Sequence, residues 1–66
     1  MTVGFYKDIT KKWIGRNMTI QSFGGRIFEG IVKDVIFDKY VKTVFFENNI
    51  SFIAHGNIKY KFWTNE

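Results

Sequence analysis

Residues 23–32 read FGGRIFEGIV and join a Gly-Gly turn to a strand that contains a third glycine. Both glycines of the pair accept positive φ, which is typical of a two-residue hairpin turn. Gly30 has no side chain to pack, so within a strand it indicates a sharp bend or a close approach of another backbone. A hairpin whose second strand is long and bent is how a very small sheet curls into a barrel. We therefore predict structural roles for Gly24, Gly25 and Gly30.

Apolar and polar residues alternate on both sides of this hairpin and predict five consecutive strands. The expected ranges are 17–23, 26–37, 40–46, 50–54 and 58–63. The second strand is apolar on both faces, and alternation places Val32 and Val35 on opposite sides of it. Such a strand is expected to have a core inside and another element outside.

Residues 4–14 have apolar side chains at helical spacing and predict one short helix. We expect it to cover an open end of the barrel; a membrane-surface or calmodulin-like helix is the alternative. The predicted fold is mainly β: an N-terminal short helix followed by a five-stranded, strongly bent antiparallel barrel. A chain of 66 residues is one domain, here residues 1–66.

The composition limits the kinds of site the chain can form. It has no cysteine and one histidine, which excludes disulfides, thiolate metal sites and an imidazole cluster within one subunit. We expect no metal and no cofactor. A formal charge of +4 permits binding to nucleic acid. Eight Phe, three Tyr and two Trp are more than one small core easily hides, so some are expected at an interface.

Catalysis has almost no support in the sequence. Ser51 and His55 lie roughly 13 Å apart if both are on one strand, and no orienting acid is evident. The six carboxylates show no paired-acid pattern, so we expect a protein that is not an enzyme. Met1–Gly4 begins no apolar leader, and no apolar run approaches the roughly 18 residues of a membrane span. The expected location is cytoplasmic, with no membrane partner.

Three segments carry a resemblance to a known family. Residues 25–32 (GRIFEGIV) form a glycine turn followed by a glycine-centred apolar strand, residues 38–42 read DKYVK, and residues 53–58 read IAHGNI. Over about residues 4–63 the chain resembles the Sm-like (LSm) family, which includes the bacterial Hfq proteins. Lys42 stands where that family has Asn, and His55 stands where it often has Arg.

The resemblance implies a homo-oligomeric ring that binds unpaired bases at two loops. An aromatic residue of such a loop stacks on a base, and lysines neutralise phosphates. The candidate nucleic-acid-binding residues are Asp38, Lys39, Tyr40, Lys42, His55, Gly56 and Asn57. In such rings the fourth strand of one subunit pairs with the fifth of the next. The candidate interface residues are Ile50, Phe52, Ile53, Ile58, Tyr60 and Phe62.

These observations lead to two functional expectations. The first is an Sm-like ring subunit that binds RNA or single-stranded DNA, in RNA processing or chaperoning. The second is a structural or protein-docking small-barrel module, of a viral or other multisubunit particle, without base-specific binding. Local alternatives stay open, because Tyr40 can simply pack at the end of its strand and His55 can bond the backbone of its own turn. The preferred base sequence and the ring size are not readable from the chain.

Overall fold

The computed structural model describes residues 2–56 and 58–65, which form one open antiparallel sheet of six strands. The strands are β1 (Thr2–Gly4), β2 (Asn17–Ser22), β3 (Ile27–Phe37), β4 (Val41–Phe46), β5 (Ser51–His55) and β6 (Tyr60–Thr64). Their order across the sheet is β1-β6-β2-β3-β4-β5, so β1 and β5 are the two edges. The mainly β prediction is confirmed, and each predicted strand has a counterpart in β2 to β6 whose ends lie within two residues.

The predicted N-terminal helix is wrong. Residues 4–14, all of which the structure describes, contain the last residue of β1 and two 3₁₀ turns, Tyr6–Asp8 and Lys11–Trp13, but no α-helix. The reason is local: the Asp8 carboxylate accepts the Phe5 backbone N–H at 2.7 Å, and the Thr10 hydroxyl accepts the Lys12 N–H at 3.2 Å. Thr10 itself is extended, with φ −134° and ψ 162°. Short polar side chains that bond nearby backbone favour such turns over a continuous helix.

The number of strands was also predicted wrongly, because β1 adds a sixth. It pairs with β6 through Thr2↔Phe62, Val3↔Lys61 and Gly4↔Tyr60. A Cβ on Gly4 would lie about 2.5 Å from the Tyr60 ring, so only glycine fits at that pairing position. Gly4 is therefore the one residue of β1 whose type the pairing with β6 requires.

The bend in β3 is where the prediction and the structure agree most closely. The first half of the strand, residues 27–31, pairs with β2, and the second half pairs with β4. Gly30 has φ 142°, a conformation that side chains rarely adopt. A register shift follows between Val32 and Asp34. The extra residue places Val32 and Val35 in the same core, although strict alternation puts them on opposite faces.

The predicted closed barrel is an open sheet in the structure. β6 pairs with β2 along one edge and with β1 along the other. Since β1 occupies the position that β5 would need, no strand among residues 2–56 and 58–65 pairs with the outer edge of β5. The barrel is therefore replaced by a strongly bent sheet with a gap between β5 and the β2–β3 hairpin.

The core lies on the concave side of the bent sheet. Residues 6–13, which hold the two 3₁₀ turns and the link between them, are named the 3₁₀ segment. The buried members of the core come from this segment and five strands: Ile9, Trp13, Met18, Ile20, Val32, Val35, Val44, Phe46, Phe52, Ala54 and Tyr60. The Tyr60 ring contacts Phe52 and Phe62 with centroids at 5.2 and 5.8 Å. Its hydroxyl donates to the Phe5 carbonyl at 2.7 Å, which ties the N-terminal segment to β6.

The burial of Tyr60 leads us to predict that the free energy of unfolding falls in alkaline solution. Burial, with a smaller effect from the Asp8 charge, raises the pKa of Tyr60 above its ordinary value of 10.0. Above about pH 10 the unfolded tyrosine ionises while the folded one stays protonated, so the free energy of unfolding falls with rising pH by up to about 1.4 kcal/mol per pH unit. Below pH 10 this contribution is fully present.

Urea unfolding of Tyr60→Phe at several pH values checks this. At neutral pH we expect the variant to be less stable by about 0.5–1.5 kcal/mol, because the Phe5 carbonyl loses its donor. Between pH 10 and 11 the wild type should lose this advantage, because only the wild type carries the buried tyrosine. Tyr40→Phe, at an exposed position, is the matched control. A constant difference between wild type and Tyr60→Phe across this range would contradict the role given to burial.

Candidate nucleic-acid interface

Two loops that the sequence singled out meet at one end of the sheet. β3 ends at Phe37, and the turn to β4 is closed by the Asp38 N–H, which donates to the Val41 carbonyl at 2.7 Å. The Asp38 carboxylate accepts the Lys39 N–H at 2.7 Å. Val41 is the register partner of His55, the last residue of β5. The segment of residues 38–42 and His55 are therefore neighbours, and Gly56 follows directly; Asn57 lies outside the described residues.

The side chain of Tyr40 is available for contact with a ligand. It is 70% exposed, so it does not pack at the end of its strand. The Lys39 ammonium lies 5.4 Å from the centroid of its ring. A cation over an aromatic face is attracted to the ring electrons. This arrangement places a positive charge beside a flat apolar surface.

A second exposed ring, Phe37, lies at the same end of the sheet and was not among the residues predicted from the sequence. It is 48% exposed, and the ammonium groups of Lys42 and Lys11 lie 4.7 and 5.8 Å from its centroid. The sequence signal that could have identified Phe37 is its position as the last apolar residue before the polar pair Asp38-Lys39. Nothing in the sequence indicated Lys11, because it reaches this end only through the tertiary fold.

Lys42 has a different role from Lys39. Its ammonium is partly buried and donates to the Ile9 carbonyl at 2.9 Å while it lies over the Phe37 ring. It therefore anchors the 3₁₀ segment to β4 and orients Phe37. This explains physically how a lysine can occupy the position where the Sm-like pattern has Asn, because the side chain points into the fold rather than toward a base.

The residues at this end of the sheet lie on both of its faces, since Phe37 pairs with Lys42 while His55 pairs with the adjacent Val41. We name the set the loop-end cluster. It consists of Phe37, Lys39, Tyr40, Lys42, Lys11 and His55. Three lysines and one histidine accompany two exposed rings, and Asp38 is the neighbouring carboxylate in the turn. Stacking surfaces combined with cations are the features with which proteins bind single-stranded nucleic acid.

The six candidate interface residues divide into two groups. Ile50, Ile53 and Ile58 are exposed on the surface. Phe52 and Tyr60 are buried core residues, and Phe62 is half-buried against Trp13, with ring centroids 5.1 Å apart. The structure thus places the first three where a partner can reach them and the last three inside the subunit.

The comparisons with known proteins give no relative for this chain. No protein-family model matches it, no curated protein matches it, and no solved structure matches it. The Sm-like resemblance therefore stays a prediction that rests on the sequence segments quoted above. Among the helical segments that the structure describes, none is long and apolar enough to cross a membrane.

Proposed function

We propose that this protein binds single-stranded nucleic acid, with RNA as the expected ligand, through the loop-end cluster. The observation that supports this most directly is the pair of exposed rings, Phe37 and Tyr40, each with lysine ammonium groups nearby at the same end of the sheet. Bases stack on such rings whatever their sequence, because every base has a π face. Lys39 and Lys11 lie where they can neutralise the phosphates of a stacked strand.

The Sm-like resemblance adds a homo-oligomeric ring to the proposal, acting in the cytoplasm in RNA processing or chaperoning. The two strands that pair between subunits of that family correspond here to β5 and β6. The open edge of β5 supports such pairing, whereas β1 and β2 already occupy both edges of β6. A ring closed in this way therefore requires β1 to leave β6. Sedimentation at micromolar concentration tests this part, and a monomer contradicts it.

Salt dependence of oligonucleotide binding tests the main proposal. The ligands are labelled U-rich and A-rich RNAs of about ten nucleotides, within the range that single-strand sites span. If Lys39 and Lys11 neutralise two phosphates, affinity falls about sevenfold for a fourfold rise in salt, since each phosphate contributes a logarithmic slope of about −0.7. Lys39→Gln should reduce the magnitude of the logarithmic salt slope by about 0.7, the contribution of one phosphate.

Lys33→Gln is the control for that experiment. Lys33 is exposed on β3, four residues before Phe37 and thus roughly 13 Å away along the strand. Its removal lowers the net charge equally but should leave the salt slope unchanged. Absence of binding at 50 mM salt, or binding that does not respond to salt, would count against a nucleic-acid function.

A second candidate function is protein docking without base-specific binding. The observation that favours it is the outer edge of β5, which is open and carries the exposed Ile53. A sheet edge of this kind is a template for pairing with another chain. This function does not depend on the loop-end cluster, and the two candidates are separable by mutation.

A further inference from the structure

A cleft lies along the gap between β5 and the β2–β3 hairpin. It has two adjoining parts of about 550 and about 310 Å³. The larger part is lined by Ser22, Phe23, Gly24, Phe52, Ile58 and Lys59. The smaller part is lined by Ser22, Arg26, Phe28, Ser51, Phe52 and Ile53. Because Ser22 and Phe52 line both, the two parts form one trough beside β5.

The backbone of β5 presents unpaired groups to this trough. The Phe46 N–H donates to the Ile50 carbonyl at 2.8 Å, which fixes that pair as a hydrogen-bonded one. Antiparallel pairs alternate between hydrogen-bonded and non-hydrogen-bonded positions. The N–H and C=O groups of Ser51 and Ile53 therefore point away from β4, toward the open edge, whereas the His55 carbonyl accepts the Ile58 N–H at 3.2 Å. No described strand pairs with them.

This edge lacks the features that usually protect one. Natural edge strands carry lysine, proline, a bulge or an inward charge that prevents another strand from adding. β5 contains neither lysine nor proline and no carboxylate, and its pairing with β4 shows no register shift. The edge is thus straight, regular and available.

The charge of the trough is one-sided. Arg26 lines one part and Lys59 lines the other, and among residues 2–56 and 58–65 no carboxylate lines either. The Lys61 ammonium adds a third positive charge, 5.7 Å from the centroid of the exposed Phe23 ring. Between these cations the wall is formed by Phe28 and Phe52, whose centroids are 5.2 Å apart. An occupant that matches this surface has apolar side chains and carboxylates.

We propose that the β5 edge and this trough bind an extended segment of another protein in which apolar and acidic residues alternate. The segment adds as a seventh strand beside β5, and its backbone bonds Ser51 and Ile53. Its apolar side chains enter the trough against Phe28 and Phe52, and its carboxylates reach Arg26 and Lys59. Main-chain bonds give affinity and alternate side chains give specificity in this mode of recognition. The inference specifies the partner of the docking function and does not rest on nucleic-acid binding.

A second copy of this chain fits the trough less well. Neither of its edge strands, Thr2–Gly4 and Ser51–His55, contains a carboxylate that would meet Arg26 and Lys59. A nucleic-acid strand fits less well than a peptide, because it cannot match the alternating donors and acceptors of a β edge. Phe28 and Phe52 also meet each other at 60° and present no paired flat faces for bases.

The experiment uses the full chain and a labelled peptide of alternating valine and glutamate, with fluorescence anisotropy as the readout. We expect saturable binding. Methylating the peptide amides on the side that faces β5 should abolish it, whereas methylating the opposite amides should not. This pair of peptides leaves the protein unchanged, so the result is independent of any folding defect.

Two protein variants complete the test. Ile53→Pro removes an edge N–H at a position where proline is tolerated in a strand, and we expect at least about tenfold weaker binding. Ile53→Thr keeps that N–H and is the matched control. Arg26→Gln/Lys59→Gln should weaken binding of the glutamate peptide, and a valine–lysine peptide should not bind the wild type.

Several results would overturn this inference: no binding of the glutamate peptide, equal binding of both methylated peptides, or equal binding by Ile53→Pro and Ile53→Thr. A ring that occupies β5 and excludes the peptide would also overturn it. Displacement of the peptide by RNA, in a manner that depends on Arg26 and Lys59, would assign the trough to nucleic acid instead. RNA binding at the loop-end cluster should be unchanged in Ile53→Pro, so the two functions fail separately.

Discussion

Replacing both exposed rings of the loop-end cluster, as Phe37→Ala/Tyr40→Ala, is expected to weaken RNA binding by about 30-fold or more. Stacking contributes about 1–3 kcal/mol per base, and tenfold in affinity corresponds to about 1.4 kcal/mol. Both rings are substantially exposed, so the fold should survive, and circular dichroism of the double variant verifies this. Titration of the labelled RNA at low salt is the measurement.

Phe23→Ala is the matched control for the double variant. Phe23 is 58% exposed and has the Lys61 ammonium 5.7 Å from its ring centroid, so it offers the same chemistry in the β2–β3 turn, away from the loop-end cluster. If RNA bound nonspecifically to any exposed aromatic ring, this variant would lose affinity as well. Equal affinity of the double variant and the wild type would remove the observation on which the proposed function rests.

A series of three glycine-to-alanine variants is expected to separate the roles of the three hairpin glycines in stability. Gly30→Ala should be the most damaging. Its φ of 142° strains any side chain, and a Cβ there would lie 3.1 Å from Asn48 Nδ2, which donates to the Glu29 carbonyl at 3.0 Å. Backbone strain of about 1–3 kcal/mol plus a weakened hydrogen bond of about 1 kcal/mol gives a loss of about 2–4 kcal/mol.

The other two positions provide graded controls. Gly25 has φ 92° but no atom within 4 Å of a Cβ, so Gly25→Ala should cost only the backbone strain. Gly24 has no positive φ and no Cβ contact closer than 3.7 Å, so Gly24→Ala should be close to neutral. Urea midpoints give the order. A chain of this size has a total stability of about 3–10 kcal/mol, so the Gly30 loss should be plainly visible. Equal losses at Gly24 and Gly30 would refute the account of the bend.

The strands were predictable because alternation and glycine placement are local signals. The range 26–37 could be read as one bent strand from Gly30 alone, and the structure pairs its halves with different neighbours. The 4–14 segment was misread because its apolar spacing suits a helix, whereas the buried Ile9 lies between the two 3₁₀ turns and Trp13 ends the second. Side-chain bonds from Asp8 and Thr10 decided between the two, and spacing does not report them.

The site was predictable only in part, for the same reason. Residues 38–42 and His55 could be selected by motif, and the register of β4 and β5 brings them together. Phe37, Lys11 and the anchoring role of Lys42 depend on which strand end the 3₁₀ segment reaches. The open edge of β5 could not be predicted, because it arises when β1 takes the outer edge of β6. β1 has three residues, and its only sequence signal is one glycine.

The placement of β6 between β1 and β2 bears on how the chain acquires its structure during synthesis. The hairpins from β2 to β5 join neighbours in sequence, so they can form as soon as each has left the ribosome. The second edge of β2 is covered only by β6, which emerges after β3, β4 and β5 have all been made. Until then a nascent chain exposes one edge of residues 17–22, and an uncovered strand edge can mispair with other chains. The last strand thus covers β2 and ends the period in which this particular edge can mispair.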